Sequence, residues 1–155
     1  MKIAFIVNSF PKISETFIFN KIARLSESDF EVTVLVHQVS NDKSFYNDKS
    51  VFNRIHIIFS LLLKRQRLQL LLNPISFIRA FKLTYNSKSN LKGNLRNSLL
   101  LFPFIKNKYD IVHFEYSGLA IQYLDVIDKI ECKKVISCRG AAEQITPLVN
   151  TQRKL

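Results

Sequence analysis

Five short runs rich in β-branched and aromatic residues, at 2–8, 31–37, 54–59, 110–115 and 133–138, punctuate this chain. They are apolar at nearly consecutive positions rather than alternately. Such runs need burial on both faces, which a parallel sheet supplies when helices cross over it. A helix is predicted over 14–26, where Ile18, Ile22 and Leu25 share a face, after a Pro-containing loop at 9–13. Residues 38–53 read as polar loop, 61–108 as a basic helical region and 117–130 as a helix. The order β-α-β-β-α-β-α-β predicts an α/β fold, a doubly wound, mostly parallel, Rossmann-like sheet. No internal repeat or linker divides the 155 residues, which have the length of one domain.

Composition narrows the class. At 47% hydrophobic and 23% charged residues, with three Gly and four Pro, the chain is neither disordered, collagenous nor low-complexity. Its uncharged runs, such as 55–63, fall short of the roughly 20 apolar residues needed to span a bilayer. Only five apolar residues precede Asn8 and no small-residue cleavage site follows, so 2–8 reads as a first strand rather than a signal peptide. The expected location is cytoplasmic. Cys132 and Cys138 flank one predicted strand whose length separates them beyond disulfide reach, and they read as small hydrophobes.

The net charge of +11 is unevenly placed. Residues 1–53 balance, as do 110–155, whereas 54–109 hold eleven Lys and Arg and no Asp or Glu. An acid-free stretch of this length points to an anionic partner. Three readings stand: basic stems covering apolar surface as the helices pack on the sheet, attachment to an anionic membrane surface, or nucleic acid. The last lacks any motif in its support. Asn73-Pro74 reads as a helix start, after which Phe77, Ile78, Phe81 and Tyr85 fall on one side with Arg79 and Lys82 roughly opposite. The run 61–72, rich in Leu and bases, has no clean face.

Ligands of a parallel sheet bind beyond the carboxyl ends of its strands. The residues to weigh are therefore 8–16, His37, 113–117 and 139–144. The first loop has no GxGxxG, which argues against an ordinary dinucleotide dehydrogenase. Ser14, Glu15 and Thr16 either cap the helix or face an anionic or polyhydroxylated ligand. His113 is either a core imidazole or a site residue.

Three segments together resemble the family 4 glycosyltransferases of the GT-B fold, especially bacterial members that build exopolysaccharide and colanic-acid-like polymers. They are the opening Lys2-Ile-Ala-Phe-Ile-Val-Asn-Ser-Phe-Pro-Lys-Ile-Ser-Glu-Thr-Phe-Ile18, then Tyr109-Asp-Ile-Val-His-Phe-Glu115, then Val135-Ile-Ser-Cys-Arg-Gly140. The resemblance implies two Rossmann-like domains with the active site between them, the first holding the acceptor and the second a nucleotide sugar. It implies a retaining transfer from that donor to a lipid-linked or polysaccharide acceptor, with no metal and no cofactor, peripheral on the inner face of the cell membrane. This chain would be the acceptor-side domain, 1–155, incomplete and without its donor half. It would be part of a longer enzyme or partnered by a separate donor-domain chain, or else a non-catalytic remnant serving as a membrane-surface or protein-interaction module. By the same resemblance Phe10, Pro11, Ser14, Glu15 and Thr16 line the cleft, as do Arg139 and Gly140. His113 matches the first His of a His-x-His pattern whose second position is Glu115 here. A carboxylate there could accept a hydroxyl proton. The family's frequent Asp two residues after the Gly is Ala142 here, with Glu143 next to it.

Overall fold

The computed structural model describes residues 1–39, 52–59, 70 and 73–138. Its strands are β1 (Lys2–Phe10), β2 (Glu31–Val39), β3 (Ile55–Phe59), β4 (Ile111–Phe114) and β5 (Lys133–Ile136). All pair in parallel, in the order β3-β2-β1-β4-β5. The strand runs sort by parity onto two faces. Ile3, Phe5, Val7, Val32, Val34 and Val36 turn to one side, where Ile18, Phe19 and Ile22 of α1 (Thr16–Ser26) cover them. Ala4, Ile6, Leu35, Val112 and Phe114 turn to the other, beneath helices from the second half of the chain. Phe5, Ile6, Phe114 and Ile22 are fully buried, each contributing about 2 kcal/mol of apolar burial. The α/β, Rossmann-like fold follows from this double coverage.

The covering helices on the second face are α3 (Leu91–Lys106), α4 (Ser117–Gln122) and α5 (Leu124–Ile127); α2 (Pro74–Thr84) packs on α3 as a helical hairpin. Where 117–130 was expected to be one helix, Tyr123 breaks it. The reason is packing, since the buried Tyr123 ring meets Phe104 and Phe114 edge-on. The helix expected over 14–26 opens with a 3-10 turn, Ile13–Glu15, before α1. Pro103 does not end α3, which continues to Lys106 with Phe102, Pro103 and Phe104 buried. A proline in the last turn forgoes one helical bond, and its buried neighbours hold the turn together.

The hairpin revises the expected face of α2. Its inner stripe is Phe77, Ala80, Phe81 and Thr84, whereas Ile78 and Tyr85 point outward beside Arg79 and Lys82. The cause is a line of small polar groups between the two helices. Thr84 Oγ1 lies 2.8 Å from Ser98 Oγ, Ser98 Oγ donates to Asn94 O at 2.7 Å, and buried Asn94 exchanges two bonds with the Asn86 backbone at 3.0 Å each. Asn73 precedes Pro74 as expected but makes no side-chain cap. The working cap is Asn90, whose Oδ1 accepts from Gly93 N at 2.7 Å, and a Cβ at position 93 would lie 3.1 Å from that oxygen. Asn90→Ala is expected to lower unfolding stability by about 1 kcal/mol in urea titrations.

β5 departs from the expectation of a sheet buried on both faces. All four of its residues are exposed, Val135 and Ile136 at 43% each. It lies at the edge of the sheet, where no described helix covers it. For the same reason Cys138 is exposed and Cys132 half-buried rather than both being core residues; both are free thiols. The predicted loop at 38–53 and the basic run at 61–72 fall for the most part outside the described residues. No helix among the described residues is long and apolar enough to cross a membrane.

Candidate functional site

The chain passes from β1 to β2 on one side and from β3 across to β4 on the other. The winding therefore reverses between β1 and β4, and their carboxyl ends flank the crevice where such sheets bind ligands. Two of the sequence-derived segments meet there. The loop after β1 leads through Ser14, Glu15 and Thr16 into α1, and β4 ends in His113 and Phe114 with Glu115 just beyond.

Parity places His113 and Glu115 on the α1 side of the sheet. Glu115 extends the ladder one residue past β4, its N–H donating to Ile6 O at 3.2 Å. Its side chain has no exposed surface, and Lys21 of α1 meets it with Nζ 2.5 Å from Oε1. The same ammonium sits 5.5 Å from the centre of the Phe5 ring. Oε2 is buried and has no hydrogen-bond partner among the described residues. His113 is half-buried, tilted against Phe5 with ring centroids 5.2 Å apart, and its Nε2 lies 2.8 Å from Ser137 Oγ beyond β5. The imidazole is therefore engaged across strands rather than enclosed in apolar core.

The loop residues divide into two groups. Phe10 and Pro11 are buried, and Phe10 stacks on Phe19 and approaches Phe52, with centroids 6.0 and 6.4 Å apart. They shape the loop from beneath. Glu15 pairs with Lys12 at 2.9 Å. Ser14 and Thr16 are exposed; the N-cap positions fall on Lys12 and Glu15, and neither helix start has a side-chain cap. Both hydroxyls thus remain available at the positive end of α1. Arg139 and Gly140 lie outside the described residues.

Lys21 went unmarked in the sequence, although a signal was present. It lies three residues after Ile18 and four before Leu25, on the inward stripe of α1, where a lone cation requires a buried partner. His37 belongs to a separate site. It lies two residues before the end of β2, on the opposite face, buried, with Nε2 3.1 Å from Tyr123 Oη. Burial, and secondarily the charge of Arg96, lowers its pKa to about 4, and burial raises that of Tyr123. This is a neutral, structural pair. Among the described residues no cluster of three His, Cys, Asp or Glu could hold a metal ion.

The site thus combines a fully buried carboxylate whose Oε2 makes no hydrogen bond among the described residues, a cation whose side chain is 28% exposed, and two exposed hydroxyls at the start of the helix that carries that cation. Such a set can accept a proton or hydrogen bond from a hydroxyl-bearing ligand. Comparison with family models, curated proteins and solved structures finds no match.

Proposed function

We propose that this chain is the acceptor-side domain of a retaining glycosyltransferase of the GT-B type, acting on a lipid-linked or polysaccharide hydroxyl with a nucleotide sugar as donor. The observation that carries the reading is Glu115, buried at the crevice between β1 and β4 with Oε2 unpartnered among the described residues. The resemblance of the three quoted segments supports it. In this reading Ser14 and Thr16 hold acceptor hydroxyls at the head of α1, and His113 holds Ser137 and the end of β5 against the site. The acceptor oxygen attacks the anomeric carbon on the face from which the phosphate departs, so the configuration is retained; the bond to the nucleotide phosphate breaks with its electron pair leaving on the phosphate, and the hydroxyl proton passes to Glu115 once Lys21 swings aside. Arg139 and Gly140 would face the phosphates. The donor is held by a second domain, in the same polypeptide or a separate chain.

The test is amide chemical-shift mapping of the full chain with soluble oligosaccharides and, separately, with nucleotide sugars. Oligosaccharides are expected to perturb Ser14, Thr16 and Glu115, and Glu115→Gln to weaken their binding about tenfold or more, the worth of a hydrogen bond to a charged group. If neither ligand class perturbs these residues, the transferase reading fails. The chain is then a non-catalytic module that binds a membrane surface or a protein.

A further inference from the structure

The amino ends of the strands border a cavity of about 510 Å³, at the opposite end of the sheet from Glu115. That volume suits a small molecule. Thr33 and His56 form its floor, being register partners across β2 and β3 that parity turns to the second face. α3 ends at Lys106, and the turn from it into β4 supplies Asn107, Lys108 and Tyr109 as a wall. Tyr109 is 9% exposed, and its hydroxyl is buried with no hydrogen bond among the described residues. Thr33 and Asn107 approach that oxygen without completing a bond. Burial raises the pKa of the phenol, so it remains a donor. A buried hydroxyl left in this way costs free energy until something outside the chain pairs with it. The charges at the rim are also unbalanced. Glu31 pairs with Lys2 at 2.9 Å, and Asp110 accepts from the Lys2 backbone N–H at 2.6 Å. Lys106 and Lys108 are exposed and enter no ion pair among the described residues.

We infer that this cavity binds a small hydroxylated phosphomonoester, with its phosphate between Lys106 and Lys108 and its hydroxyls against Thr33, Asn107 and Tyr109. Three arguments select that ligand. The two unpaired ammoniums match the charge of a phosphomonoester at pH 7, roughly −1.5 to −2, whereas a carboxylate would neutralise only one of them. Tyr109 donates, and Thr33 and Asn107 can donate or accept, so a ligand hydroxyl seated among them completes the bond that Tyr109 lacks. The third argument is size, since an inorganic ion alone would leave most of the cavity empty. The site is distinct from the crevice between β1 and β4, because it opens at the other ends of the same strands.

The inference does not depend on glycosyl transfer, and the two sites map to different amides, so each succeeds or fails separately. The experiment is amide chemical-shift titration of the full 155-residue chain with ribose 5-phosphate, and in parallel with ribose, ribonate and inorganic phosphate. Ribose 5-phosphate is expected to perturb Thr33, His56 and residues 107–109, and the other three to bind about tenfold more weakly or less. Lys106→Gln with Lys108→Gln should weaken its binding about tenfold or more. Both positions are exposed, and circular dichroism should report an unchanged fold. Tyr109→Phe should weaken binding about fivefold while leaving the urea stability of the free chain unchanged or higher, since its hydroxyl has no bond to lose. Lys82→Gln with Lys92→Gln removes the same charge from the α2–α3 hairpin and should leave binding within about twofold of the parent. Ribose 5-phosphate that leaves these amides unmoved overturns the inference, the cavity then holding water alone, as do shifts confined to Ser14, Thr16 and Glu115. So does ribose, ribonate or inorganic phosphate that binds as tightly, a hairpin variant that loses as much as the Lys106 and Lys108 double variant, or a Tyr109→Phe change that costs stability and spares binding.

Discussion

Lys21→Met is expected to lower the unfolding stability of this chain by about 3 kcal/mol, because it strands Glu115 in the core without its cation. A loss of that size corresponds to roughly 10 °C in the thermal midpoint of a chain of this length. The double variant Lys21→Met, Glu115→Gln should recover most of it, since neither charge is then left buried and unpaired. Glu115→Gln alone keeps the shape and leaves Lys21 28% exposed, able to reach water, so its cost should be the smaller of the two single changes. Urea unfolding of the four proteins measures the coupling. Two losses that simply add would mean that the 2.5 Å contact is not energetically coupled, and Glu115 would lose its place as the sequestered group on which the proposed chemistry rests.

Acidification is expected to destabilise the chain between about pH 6.5 and 4 through His37. Its imidazole is buried against Tyr123 and held neutral, so its pKa falls to about 4 when folded, whereas the unfolded chain titrates at its ordinary value of 6.5. In that window the unfolded state binds a proton that the folded state refuses, so stability rises with pH and is lost as pH falls. Above pH 6.5 both states are neutral and the contribution is flat. The full difference is about 3 kcal/mol, the free energy that separates an ordinary value of 6.5 from one of about 4. Arg96, whose charge also opposes protonation of His37, should accentuate the slope. Chemical denaturation of the parent and of His37→Phe across this range measures it. The variant should lose stability on acidification less steeply, and equal slopes would show that other groups carry the dependence.

The two predictions concern opposite faces of one sheet, and that separation could not be read from spacing. Strand identity was legible because each run is rich in Ile, Val and Phe over four or more positions, a composition that only burial on both faces tolerates. The parity of β4 was legible too, since His113 and Glu115 are two residues apart on one strand. The resemblance pointed to the same pair. What covers each face was not legible. Lys21 lies ninety-four residues from Glu115 in sequence, and the pair exists only because α1 packs on the face of the sheet to which Glu115 turns. His37 and Tyr123 are eighty-six residues apart and meet because Tyr123 breaks what periodicity read as a continuous helix.

α2 shows the division most clearly. Its period, its Pro start and its mixture of bases with aliphatic residues were all visible along the chain, and they are local properties of the residues themselves. Which of its apolar residues would be buried depended on its partner. Packed on α3 through Ala80, Thr84, Asn94 and Ser98, the helix turns Ile75, Ile78 and Tyr85 outward, where a helix laid on the sheet would have hidden larger side chains. Strand runs, helix starts and charge blocks follow from near-neighbour sterics and solvation, so they can be read residue by residue. Seams between elements, the ion pair at Glu115 and the exposed face of the hairpin follow from which surfaces meet, and only the folded chain brings those surfaces together.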